Sequence, residues 1–245
     1  MNELIARCAG LFVPKSVDDF IGDNIVSRQS GDQTGARLVA QQIAKAVNLA
    51  NRNGQTPLKF LFNGKPGLGK SALVQYLQHL TGCNKWSTTK LNGTECKMER
   101  IEEIAANLHY KNLFGDWRML WIDEADEIPR VAQVRFLTLL DDLPQGVIVA
   151  CTSNCSLSDF ENRFQTRFQA FEIAPPPPSD IQNLLIRIAP EISPRDAGQI
   201  ANFACGNVRQ ALLDAQGVLQ QLTSLTSVTL DSNVKETPCS AALLR

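Results

Sequence analysis

Gly64-Lys65-Pro66-Gly67-Leu68-Gly69-Lys70-Ser71 stands directly after an apolar run, Leu58 to Phe62, and opens a helical pattern over 70–80. The spacing is G-x4-G-K-S, and it occupies the strand-to-helix junction where that pattern can hold an anion. Its glycines allow a tight curl that aims several N–H groups at one point, and the positive end of the following helix adds to the attraction. Lys70 is then placed for the β and γ phosphates of ATP, and the Ser71 hydroxyl for Mg2+. An accidental glycine-rich turn is the bland alternative, which the flanking strand and helix disfavour.

The next signal outward is Met119-Leu120-Trp121-Ile122-Asp123-Glu124, an apolar strand ending in two acids. Ligands of open α/β sheets lie at the carboxyl edge of the strands, so Asp123 is expected beside the phosphate loop. Asp123 suits Mg2+ through its water shell, and Glu124 suits the task of orienting and polarising an attacking water. A solvated acidic turn made of Asp123, Glu124, Asp126 and Glu127 is the competing reading. It weakens once the phosphate loop is present in the expected order.

Around these two motifs the chain alternates short β-rich runs with helical patterns, which predicts an α/β fold with a parallel five-stranded sheet of the P-loop NTPase kind. The expected strands are Leu58 to Phe62, Thr88 to Leu91, Met119 to Ile122, Val147 to Cys151 and Phe168 to Ile173, with helices near 36–51, 70–80, 98–108 and 131–141. Pro175 to Pro178 favour a stiff extended connector and mark a boundary. Three helical segments follow, starting after Ser179, Ser193 and Gly206. The expected division is an α/β domain over 1–175, a small helical lid over 176–223 and a tail over 224–245.

Composition excludes several classes. With 245 residues, 44% hydrophobic and 20% charged, the chain has globular composition and room for one large core plus a small second unit. A formal net charge of -1 gives no general pull toward nucleic acid, so any such contact needs a local stripe. Seven cysteines, scattered and without a C-x2-C pair, predict reduced thiols in a cytoplasmic, reducing compartment. With only His79 and His109 available, a zinc site is not expected. No run approaches the ~18 apolar residues of a membrane span, and Glu3 and Arg7 interrupt the apolar start, so no membrane partner is expected.

Phe12-Val13-Pro14-Lys15-Ser16-Val17-Asp18-Asp19-Phe20-Ile21-Gly22 resembles the N-terminal motif of AAA+ ATPases, and within them of the clamp-loader (replication factor C small subunit-like) clade. The likeness continues in Leu91-Asn92-Gly93-Thr94-Glu95 and Thr152-Ser153-Asn154, and covers about 11–222. It implies that Val13, Pro14, Phe20 and Ile21 wrap the adenine base. It implies, too, that Asn154 is a sensor positioning the attacking water, with Thr152 the alternative. Arg163-Phe164-Gln165-Thr166-Arg167-Phe168 resembles the family's S-R-C/F element with Thr166 in place of serine, which makes Arg167 the arginine finger offered to a neighbouring subunit. Gly206-Asn207-Val208-Arg209-Gln210-Ala211-Leu212 resembles the second sensor, whose arginine here is Arg209. The family's helical collar and the zinc module of its bacterial motors have no counterpart in the sequence.

Both halves of a shared site in one chain imply a homo-oligomeric ring or spiral, or a ring with related AAA+ subunits. DNA is the substrate that the resemblance implies, with Lys97, Arg100, Arg130 and Arg135 as candidate contacts and a sliding clamp or other replication protein as partner. Solvated helix charges are the ordinary explanation for all four residues. A helicase loader or transposition-type ATPase, and a nucleotide-gated adaptor with little turnover, are the competing readings.

Overall fold

The computed structural model describes residues 3–28, 31–110, 115–156, 160 and 162–232. In chain order the elements are α1 (Glu3–Cys8), β1 (Ile25–Arg28), β2 (Gly31–Thr34), α2 (Ala36–Arg52), β3 (Leu58–Asn63), α3 (Lys70–Thr81), β4 (Thr88–Asn92), α4 (Met98–Leu108), β5 (Arg118–Asp123), α5 (Arg130–Asp141), β6 (Val147–Ser153), α6 (Asn162–Gln165), β7 (Gln169–Ile173), α7 (Pro178–Ile188), α8 (Pro194–Phe203) and α9 (Val208–Ser232). The strands form one sheet in the order β1-β2-β7-β3-β6-β5-β4. From β2 to β4 every pairing is parallel. The five expected strands are its body, and an antiparallel hairpin, β1 with β2, extends the edge beyond β7.

Side chains alternate across β3, so its two faces feed two cores. Phe60 and Phe62 point with Phe171 toward α2 and α3, where Val39, Ile43, Leu73 and Leu77 cover them. Leu61 points the other way, with Leu120, Ile122 and Val149, against Ile101 and Ile104 of α4 and Phe136 of α5. Every residue of β6 is buried, as befits a strand covered on both faces. Burial raises the Cys96 thiol to about 11 and the Cys151 thiol well above its usual range, so both are inert packing groups.

The third core belongs to α7, α8 and α9, where Ile181, Leu185, Ala197 and Ala211 are fully buried. Three details differ from the sequence expectation. Pro178 is the first residue of α7, with Pro177 as its cap, because a first-turn proline forfeits no helical hydrogen bond. The last helix runs on to Ser232, past the expected start of the tail. Leu4 of α1, 0% exposed, packs into the helical core, so the first helix joins the lid although it precedes the sheet in sequence. Among the described residues no helix is long and apolar enough to cross a membrane.

Phe62 has no exposed surface and stacks on Phe60 and Phe171 with centroids 5.9 Å away in each case. Phe62→Ala is expected to cost about 3–5 kcal/mol. Urea unfolding followed by circular dichroism checks this, through a lower midpoint at an unchanged slope.

Candidate functional site

Gly67 and Gly69 take positive φ, 81° and 88°, and Gly69 caps α3 from the left-handed region. This path folds the loop over the first turn of α3, with the Lys70 side chain beneath it. Lys70 Nζ donates to Gly64 O at 2.6 Å, Lys65 O at 2.8 Å and Asn154 Oδ1 at 3.0 Å. Burial, reinforced by the positive charge of Arg209, pulls the ammonium down to about 8, while Asp123 and Asp126 oppose the shift.

At the tip of β5, Glu124 follows Asp123 with φ 56° and ψ 53°. That left-handed conformation costs a non-glycine residue roughly 1–2 kcal/mol. Asn92 at the end of β4 meets the resulting turn, its Nδ2 donating to Glu124 Oε2 at 2.8 Å. A Cβ at Gly93 would collide with the Glu124 carbonyl oxygen, so glycine is what lets β4 approach this closely. Behind the acids, the Thr152 hydroxyl donates to Asp123 Oδ1 and accepts from the Glu124 N–H at 3.4 Å. Lys90 Nζ stands 3.5 Å from Asp123 Oδ2 and 3.9 Å from the centroid of the Trp121 ring.

Asn154 occupies a different place from Thr152. Its backbone N–H donates to Asp126 Oδ1 at 3.4 Å, the Cys155 thiol donates to Asp126 Oδ2 at 3.4 Å, and Asn63 Nδ2 donates to Cys155 O at 3.3 Å. Those contacts hold the Asn154 amide against Lys70 and the phosphate loop, while Thr152 serves the acids.

A cavity of about 670 Å³ opens between the loop, the lid and the N-terminal segment. Its wall includes Pro66, Gly67, Leu68, Gly69, Lys70, Ser71, Asp123, Glu124, Thr152, Asn154 and Arg209. The other side is Pro14, Phe20 and Ile21, joined by Arg7, Cys8 and Phe12. Phe20 is buried edge-on against Tyr76, which anchors that wall to α3. Val13 is 45% exposed and, like Gly64 and Lys65, lies outside the wall; the two loop residues act through the carbonyls that hold Lys70. The lid leans on the loop at one point: the Arg209 N–H donates to Gly67 O at 3.3 Å, and a Cβ at Gly67 would collide with the Asn207 side chain.

Ser71 and Asp123 offer a hydroxyl and a carboxylate to the same cavity, an all-oxygen pair that fits Mg2+. Among the described residues no cluster of three or more His, Cys, Asp or Glu could hold a metal ion. Arg167 is not in this wall. Its guanidinium is bound to Asp141 at the end of α5.

Sequence reading passed over Lys90, the contact of Asn92 with Glu124, and Arg7 and Cys8 of α1. Asn92 was visible only as part of a motif, and its task depends on strand register, which pairs it with Asp123.

Comparison with known proteins matches residues 60–175 to the family described as "ATPase family associated with various cellular activities (AAA)". Those residues are an AAA-family ATPase domain. A curated relative named "Probable replication factor C subunit 5", from Dictyostelium discoideum, is 21% identical over 91% of this chain and 60% of its own length. The "Holliday junction branch migration complex subunit RuvB" of Nocardia farcinica is 33% identical over 56% of this chain. The match takes in 32% of that relative's length, so this chain spans less than two thirds of either curated relative. Among solved structures, a point mutant of Thermotoga maritima RuvB superposes with a TM-score of 0.70 at 20% identity, over 88% of this chain and 68% of the other. The RuvB branch migration motor of the same organism gives 0.67 at 21% identity, over 87% and 67%. At that identity the likeness establishes the AAA fold.

Because a triphosphate favours the charged form of Lys70, and the free protein loses that charge above about 8, ATP affinity of the AAA domain should fall as pH rises through that value. The slope approaches about tenfold per pH unit. Calorimetric titration from about pH 7 to about pH 9.5, in buffers of different ionisation heat, should also reveal proton uptake on binding. An affinity flat across that range refutes the assignment.

Proposed function

We propose that this chain binds MgATP in the cavity and hydrolyses it at a site completed by a neighbouring subunit, in a clamp-loader-like assembly that acts on DNA. The observation that carries this is a division of labour. Lys70, Ser71, Asp123, Glu124, Asn154 and Arg209 line one cavity, whereas Arg167 lies outside it. Released from the loop carbonyls, Lys70 binds the β and γ phosphates. Glu124 orients the attacking water and accepts its proton, Asn154 fixes the position of that water, and Arg209 reports the γ phosphate to the lid. When bound, Mg2+ would be held by Ser71 and Asp123 and would neutralise phosphate charge. The compartment proposed from the scattered cysteine pattern of the sequence is reducing and cytoplasmic.

Similarity to a replication factor C subunit over 91% of this chain supports the clamp-loader branch. The higher identity to a Holliday junction branch migration subunit favours a second reading, a recombination-type assembly that needs no sliding clamp. Particle images with a non-hydrolysable ATP analogue, recorded with primed DNA and with four-way junctions, distinguish the two. Phosphate release with and without DNA separates both from a nucleotide-gated adaptor.

Arg167→Ala is expected to bind ATP within about twofold of the parent and to lose about 10³-fold in turnover, since such a guanidinium acts on the transition state. Glu124→Gln should keep ATP bound and accumulate the assembled form. Unchanged phosphate release by purified Arg167→Ala removes the shared site. On the DNA side, Arg100 pairs with Glu103 at 2.6 Å and Arg135 with Glu102 at 3.1 Å, which leaves Lys97 and Arg130 as the better contacts of the four. Their joint replacement by alanine should flatten the salt dependence of ATP-dependent DNA binding by about two units of slope, read by fluorescence anisotropy. A slope unmoved by the double change rules them out as phosphate contacts.

A further inference from the structure

The short helix α6 ends in a turn that carries Arg167 back to the last residue of α5. There the guanidinium meets Asp141 side-on, Nε donating to Oδ1 at 2.8 Å and Nη2 to Oδ2 at 2.7 Å. Nη1 donates to the Arg163 carbonyl at 2.8 Å. A guanidinium carries five N–H donors in a rigid plane, so among the described residues three are engaged and two remain, one on each terminal nitrogen. Two are what a bidentate phosphate contact requires. Arg167 is 28% exposed and its partner 53%, so this is a pair at the surface with an open edge rather than a sealed ion pair.

A solvated arginine at the end of a turn samples many rotamers, and all but one of them miss a phosphate on another molecule. Three bonds from one plane of acceptors leave a single orientation. We infer that Asp141 is a positioning residue that holds Arg167 with its two unused N–H groups turned outward, toward the γ phosphate of nucleotide bound by a second copy of this chain. This rests on the shared-site reading above. The pair is tight enough to hold the Asp141 carboxyl below its usual range and to raise the arginine, so it persists across neutral pH.

The test measures steady-state turnover and, separately, ATP affinity for the parent, Asp141→Asn, Asp141→Glu and Arg167→Ala. Asp141→Asn should lose about tenfold in kcat, with affinity within about twofold, because a misaimed group affects the reacting complex and not the pocket. Asp141→Glu, which restores the charge, should recover most of the loss. The deciding arm mixes Asp141→Asn with Lys70→Ala. The first has a sound pocket and a misaimed arginine, the second a sound arginine and no pocket, so the mixture should turn over faster than the sum of the two alone. Asp141→Asn at the parent rate overturns the assignment, as does a faster rate, which marks the carboxylate as a restraint. A slow variant that Lys70→Ala fails to rescue is a folding defect and overturns it too. If the parent shows no turnover at any concentration, or Arg167→Ala matches it, the shared-site reading falls and takes this inference with it.

Discussion

One ammonium group, Lys70 Nζ, is held away from solvent under the phosphate loop, and the architecture around it answers that constraint. A charge removed from water needs acceptors aimed at it, and Lys70 takes them from the loop carbonyls of Gly64 and Lys65 and from the Asn154 amide. The loop can present those carbonyls only because glycines let it turn through left-handed conformations. Asn154 can reach because Asp126 and Asn63 pin the residues at the end of β6. Three strands are therefore tied to one side chain, and a ligand that recruits Lys70 has to compete with the three acceptors that hold it.

The acids show a second constraint of the same kind. Asp123 and Glu124 are adjacent in sequence yet face different partners, Thr152 and Lys90 for the first and Asn92 for the second. Two neighbouring carboxylates on a regular strand would point to opposite faces of the sheet. The left-handed turn at Glu124 breaks that alternation, and its backbone strain is balanced by the Thr152 hydroxyl and by the close approach of Gly93.

The central strands β3, β5 and β6 were legible because strands covered on both faces read as apolar runs, whereas β4, Thr88-Thr89-Lys90-Leu91-Asn92, has a single buried residue and was marked by its β-branched start. The hairpin was not legible, since Gly31-Asp32-Gln33-Thr34 carries no apolar residue and its pairing is fixed by β7. Gln33 is in fact buried, donating to Glu172 Oε1 at 2.6 Å, a pair that residue type argues against and only spatial register creates. The phosphate loop and the two acids are contiguous motifs, so sequence displays them whole. Lys90, Asn92 and Asp126 acquire their tasks from strand pairing, and Asp141 from a turn that folds back onto the end of α5, which no spacing in the chain announces.

Because Leu4 is embedded in the helical core and the Cys8 thiol donates to Leu212 O at 3.3 Å, the lid is fastened to the sheet domain twice. One fastening is the proline connector ahead of α7. The other is the stretch leading from α1 to the short turn Val17–Asp19, which Asp19 Oδ2 fixes by accepting from the Lys15 and Ser16 N–H groups. A rigid body joined at two separate points keeps one easy rotation, about the line between them. In the lid that line runs between the two tethers, and rotation about it works against the bond from the Arg209 N–H to Gly67 O, which rests the lid on the phosphate loop.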